Sequence, residues 1–136
     1  MRYLFDTSAL LAHYRQEVGW ETVQALFEDG DSEIVIASPT LVEFARRLHV
    51  LGVADGEIEQ VVGEYVLLFS AVIAIDAAVA TGAYVIGRRT PSRLPLVDAL
   101  IAAAAQAGEA ILVHRDAHMA AIPADVIRQQ PLSTAG

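Results

Sequence analysis

The chain has 136 residues, 54% hydrophobic and 19% charged, with a net charge of −8. That length suits one domain, the apolar share supplies a core, and so little charge argues against a disordered chain. There is no cysteine, and all nine basic residues are Arg, which excludes disulfides, thiolate zinc sites, cysteine nucleophiles and lysine-based phosphate sites.

Tyr3-Leu4-Phe5 is an apolar run that reads as a buried strand. Asp6-Thr7-Ser8 then opens a helix from about Ser8, capped by Asp6 or Thr7. Glu17 to Glu28 carries Trp20, Val23, Leu26 and Phe27 at helical spacing, and Asp29-Gly30-Asp31 is a turn. Ile34 to Ala37 reads as a second buried strand. Ser38-Pro39 opens a helix to about Leu51, with Ser as cap and Pro in the first position, and Gly52 ends it. Asp55 caps the next helix, to about Phe69. Val72 to Ile75 is a third strand, and Asp76 caps a helix to about Gly87. Arg88 to Arg93 is a loop. Leu94 to Ala107 is a helix closed by Gly108, and Ala110 to Val113 is a fourth strand. Ala117 to Ala121 is a short helix, Val126-Ile127 an edge strand, and 129–136 a frayed tail.

Short strands, apolar on both faces, alternate with helices. The pattern predicts an α/β fold: one domain over residues 1–128, with a central parallel sheet of four to five strands and helices on both faces. No charge-free apolar run reaches the roughly 18 residues of a membrane span. Asp6 stands where a signal peptide needs an apolar stretch. The expectation is a soluble, cytoplasmic protein with no membrane partner.

In parallel sheets of this kind, ligands bind beyond the carboxyl ends of the strands. Asp6 follows the first strand, Asp116 follows the fourth, and Glu43 lies about a turn and a half into the helix after the second. Asp98 is the only polar side chain between Leu94 and Ala105. A helix apolar all round is a buried one, and a buried carboxylate needs a partner, a proton or a metal. With no Lys present, a cation shared with the other acids is the economical answer. Hard oxygen donors without cysteine point to Mg²⁺, with Mn²⁺ as a substitute. The chemistry that suits such a site is phosphodiester hydrolysis by metal-activated water.

Four segments carry a resemblance: Phe5-Asp6-Thr7-Ser8-Ala9-Leu10-Leu11, Ser38-Pro39-Thr40-Leu41-Val42-Glu43-Phe44, Pro95-Leu96-Val97-Asp98-Ala99-Leu100-Ile101-Ala102 and Leu112-Val113-His114-Arg115-Asp116. In this order and spacing the chain resembles PIN-domain nucleases, above all the VapC-type toxins of bacterial toxin–antitoxin pairs. The resemblance implies a Mg²⁺- or Mn²⁺-dependent endoribonuclease with Asp6, Glu43, Asp98 and Asp116 as its acids, the metal held by Asp6, Asp98 and Asp116. It also implies support from the Thr7 or Ser8 hydroxyl, a homodimer, and a cognate antitoxin that covers the site. Many relatives carry a further acid two residues after the last one; here that position is His118.

Each acid also has an ordinary role open to it. Asp6 and Asp116 suit helix caps, and Glu43 has Arg46 and Arg47 three and four positions on. Asp76 matches no motif position and reads as a cap alone. His114 and His118 invite a zinc site but lack an obvious third ligand; as polar rim they would partner phosphate or Asp116. His13 and His49 read as structural, and Tyr14 and Trp20 as packing residues. A net charge of −8 opposes a phosphate backbone unless cations and local Arg clusters reverse the field. Arg46, Arg47, Arg93 and Arg115 are the candidate RNA contacts. A phosphatase working through a phospho-aspartate is disfavoured, because position 8 is Ser and Lys is absent. The alternative outside enzymology is a catalytically silent PIN-like module that binds a metal and a protein partner.

Overall fold

In the computed structural model, which describes residues 1–134, the first apolar run forms strand β1 (Arg2–Phe5). Asp6 ends it and caps helix α1 (Thr7–Arg15), its side chain accepting from the Ala9 N–H. Gln16, at φ 52°, and Gly19, at φ 99°, then redirect the chain, so α2 (Trp20–Glu28) starts three residues later than its apolar spacing suggests. A side chain at Gly19 would bring a Cβ to 3.0 Å from the Leu132 Cβ, so both backbone angle and space call for glycine there.

Strand β2 (Glu33–Ala37) runs straight into α3 (Ser38–Val50). Ser38 is the first helical residue rather than the cap: the extended Ala37 occupies the cap position and no side chain closes it. Asp55 is likewise inside α4 (Asp55–Val66), after an uncapped Ala54. Strand β3 (Ala71–Ile73) leads to Asp76, which caps α5 (Ala77–Arg89) through the Val79 N–H, as its sequence position suggested. Arg88 and Arg89 fall in that helix and not in a loop. Helix α6 (Leu96–Ala107) begins after Pro95, and strand β4 (Ile111–His114) follows. Asp116 caps the single turn α7 (Ala117–Ala120).

The edge strand is displaced from its expected place. Val126-Ile127 is not a strand, although Ile127 is buried. Instead β5 (Gln129–Pro131) pairs with β4, the Leu132 N–H donates to His114 O at 2.7 Å, and the Leu132 side chain is buried. The expected fraying therefore does not describe 129–132, and the tail's last two residues lie outside the described ones.

All strand pairs are parallel, in the order β3-β2-β1-β4-β5. Alternate residues feed two cores. Leu4, Val35, Ala37 and Leu112 face α5 and α6. Phe5, Ile34, Ile36 and Val113 face α1 to α4, where Phe44, Leu48 and Tyr65 complete the packing. Burying each such side chain stabilises the fold by roughly 1.5–3 kcal/mol. His13 sits at the join of α1, α2 and α4, with its ring nitrogens 2.6 Å from Tyr65 Oη and 2.6 Å from Gln24 Oε1. Trp20 packs edge-on to His13, and Tyr14 edge-on to Phe44. His49 is exposed, 3.8 Å from Asp55. Among the described residues, no helix is long and apolar enough to cross a membrane.

Candidate active site

After β1 the chain builds outward through β2 and β3, then returns to the other side of β1 with β4. That reversal is the switch point at which parallel sheets open a crevice at their carboxyl ends. Asp6 and Asp116 follow neighbouring strands there. Asp98 enters from the first turn of α6 and Glu43 from α3. The four acids line one cleft of about 240 Å³, together with Thr7 and Ser8.

Short hydrogen bonds hold this arrangement. Ser8 Oγ donates to Asp6 Oδ1 at 2.7 Å and accepts from the Arg115 N–H at 2.8 Å. One hydroxyl thus ties the turn after β1 to the turn after β4. Asp6 Oδ1 also takes the Ala9 N–H at 2.9 Å. Thr7 Oγ1 donates to Glu43 Oε1, so Glu43 lines the cleft and pairs with Thr7 rather than with an Arg of its own helix. Ser8→Ala leaves the Arg115 N–H without its partner, a loss of about 1–3 kcal/mol. The expected result is a thermal midpoint several degrees lower, read by circular dichroism; an unchanged midpoint would show that the bridge is replaced by water.

Behind Asp116 lies a relay that sequence reading placed at the rim. His114 is 1% exposed. Its Nδ1 accepts from the Asp116 N–H at 3.1 Å, which leaves Nε2 as the protonated nitrogen, donating to Gln129 Oε1 at 2.7 Å. Gln129 Nε2 in turn donates to Ile122 O at 3.0 Å. Both ring nitrogens are occupied, so His114 is no zinc ligand. The expected strand ended at Val113, one residue short of His114, and the partner on β5 was not legible because β5 itself was misplaced.

The electrostatics follow from crowding. Asp6 is 2% exposed and Asp98 is 8% exposed. Burial pushes the Asp6 carboxyl up to about 7, against the Ser8 and Ala9 hydrogen bonds and with help from the charges of Asp116 and Asp98. Burial and then the Asp116 and Glu43 charges push Asp98 up to about 7, with His118 opposing. Asp98 meets no Arg among the described residues; it is aimed into the cleft amid other carboxylates. This donor set fits a hard divalent cation, which would offset both the desolvation and the mutual repulsion.

Arg15, Arg47 and Arg115 also line the cleft, and Glu17 joins two of them. Arg115 donates to Glu17 Oε1 at 3.0 Å and to Val18 O at 3.2 Å, while Arg15 lies 3.4 Å from Glu17 Oε2. Arg15 reaches the cleft from the last turn of α1, one turn beyond Leu11, and Glu17 comes back to it only through the left-handed turn at Gln16; neither is among the candidate residues read from the sequence. Arg46 borders an adjacent groove with Val42 and Val50. Arg93 is the exception among the candidate RNA contacts: it lines a separate groove with Tyr84, Leu96 and Leu100, away from the acids. Leu96 is exposed there, so α6 is buried on its inner face and not all round.

Comparison with solved structures finds the same fold in toxin–antitoxin complexes. A chain of VapBC2 from Rickettsia felis, bound to a promoter DNA fragment, superposes with a TM-score of 0.76 at 16% identity, over 98% of this chain and 100% of that one. A toxin–antitoxin complex from Klebsiella pneumoniae gives 0.68 at 25% identity, covering 89% and 92% of the two chains. FitAcB from Neisseria gonorrhoeae gives 0.66 at 22%, covering 95% and 96%. No curated protein matches the chain significantly in sequence. The PIN domain, as a family, matches residues 3–125, from β1 past the last acid of the cleft. The chain belongs to the PIN domain family.

Proposed function

We propose that the protein is a metal-dependent endoribonuclease, the VapC-type toxin of a bacterial toxin–antitoxin pair. The observation that carries this reading is the convergence of Asp6, Glu43, Asp98 and Asp116 on one cleft, with Asp98 buried and without a cationic partner. Membership of the PIN domain family and the likeness to toxin–antitoxin complexes support it.

Asp6, Asp98 and Asp116 would hold Mg²⁺ or Mn²⁺. Such an ion supplies an activated water and steadies the leaving oxygen of a phosphodiester. Glu43, kept in place by Thr7, positions the attacking water or adds a ligand. Ser8 fixes the two turns that present Asp6 and Asp116. Arg47 and Arg115 on the cleft wall, with Arg15, grip RNA phosphates, and together with the bound cation they offset the carboxylates of the cleft. A cognate antitoxin that covers the cleft, a homodimer, and a cytoplasmic location complete the proposal.

The test is induced expression in a bacterial host, parent against Asp6→Asn, with growth followed and new RNA ends mapped. Growth arrest with discrete new ends, confined to the parent, is the expected result. If purified parent binds Mn²⁺ yet cuts no RNA from its native source, the chain is instead a silent metal-binding module.

A further inference from the structure

Asp98, Asp116 and His118 each place one ligand atom within 4.8 Å of the others. His118 is the second residue of α7, and the same turn that presents the Asp116 carboxylate presents its ring. Its Nδ1 lies 3.3 Å from Asp116 Oδ1, while the His118 backbone N–H donates to that same oxygen at 2.7 Å. An imidazole nitrogen is therefore held beside two carboxylates, one of them, Asp98, nine-tenths buried and paired with no Arg among the described residues.

The ordinary account of this contact is an ion pair. It explains little: the His118 side chain is 59% exposed, and an exposed pair contributes about 0–1 kcal/mol. An ion pair also leaves a single imidazole to serve both Asp98 and Asp116. A metal ligand accounts for both the placement of the ring and the state of Asp98.

We propose that His118 is a nitrogen ligand of the cation shared by Asp98 and Asp116, and that it biases the site toward Mn²⁺ over Mg²⁺. The inference rests on the nuclease reading above and refines it. Mg²⁺ demands oxygen donors in near-ideal octahedral geometry and keeps much of its water, whereas Mn²⁺, which shares the preference for oxygen, accepts an imidazole nitrogen more readily than Mg²⁺ does. A carboxylate at this position would serve either ion. A histidine there trades electrostatic attraction for ligand softness, so the choice of ion becomes a property of one side chain.

The experiment measures Mn²⁺ and Mg²⁺ binding to the full chain by calorimetry, and nitrogen coupling to bound Mn²⁺ by pulsed electron paramagnetic resonance. The parent should bind Mn²⁺ more tightly than Mg²⁺ and show ¹⁴N coupling. His118→Ala should lose the coupling and about tenfold in Mn²⁺ affinity, a loss of the size seen when metal-supporting residues are removed, while Mg²⁺ binding changes far less. His118→Asp should bind both ions and narrow the difference between them. Because the side chain is exposed, thermal melts of the metal-free variants should match the parent, which separates lost ligation from lost folding. Mn²⁺ bound by the parent without nitrogen coupling, or coupling that persists in His118→Ala, overturns the assignment and leaves the nuclease reading standing. A parent that binds neither ion overturns both.

Discussion

Asp98→Asn should lose RNA cleavage by about a thousandfold or more, equivalent to about 4 kcal/mol of transition-state stabilisation, and should keep its fold. The two halves of this expectation share one cause. Asp98 is enclosed among carboxylates, with its ionisation pushed up to about 7 by burial and by Asp116 and Glu43. Asn has the same shape, carries no charge, and can offer an N–H to Asp116. Without metal, at pH 8, the variant should therefore melt no lower than the parent. A group retained for structure gives the opposite pair of results, a lower midpoint with cleavage intact. Single-turnover cleavage of a labelled RNA at saturating Mn²⁺, alongside thermal melts, distinguishes them; a variant that cuts as fast as the parent removes Asp98 from the site.

Metal-free protein should lose stability as pH rises from about 4 to about 7. Asp6 and Asp98 carry carboxyls raised from 3.8 to about 7. Between those values the folded state holds more protons than the unfolded state, so each step up in pH favours unfolding. Above about 7 both groups are ionised in either state and the slope vanishes. Asp29 and Asp125 act in the other direction: Ser32 and Arg89 lower their carboxyls, and the stability they add is lost only as pH falls below about 4. A divalent cation substitutes for the missing protons. At a hundred times its Kd it adds about 2.7 kcal/mol, roughly 10 °C in a domain of this size. Melts in chelator from pH 4 to 8, repeated with Mn²⁺, check both limbs. The cation should raise the midpoint most above pH 7 and little at pH 5, where protons already occupy the oxygens. A metal-free profile flat from pH 4 to 7 would count against carboxyls raised by enclosure.

How far the sequence reveals this site depends on the residue. Asp6 and Asp116 are legible because the first directly follows an apolar run and the second comes just after one, which leaves both acids at the carboxyl edge of the sheet. Asp98 is legible by contrast, the one polar side chain in an apolar helix. Glu43 is less so: its neighbours Arg46 and Arg47 offer a surface explanation, which the Thr7 hydrogen bond displaces. Strands β1, β2 and β4 announce themselves by residues apolar on both faces. Strand β5 does not, since Gln129-Gln130-Pro131 has no apolar pattern and is held by pairing with β4 and by the buried Leu132. With β5 went the partner of His114. Caps failed where a strand or loop passed into a helix without side-chain help, at Ala37 and Ala54. Glu17 depends on a left-handed turn at Gln16, a conformation that a glutamine gives no reason to expect.

The Ser8 bridge has a consequence for how the protein is made. Its two ends are separated by 107 positions along the chain, and β1 finds its β4 partner only at Tyr3↔Ile111. During synthesis Asp6 is made well before the β4 strand that pairs beside it and before Asp116, the acid that completes the cleft. Every pairing of this kind must wait for the distant half of the chain. A nascent polypeptide thus carries no working cleft until Asp116 has been made, and a chain released before Asp116 has none at all.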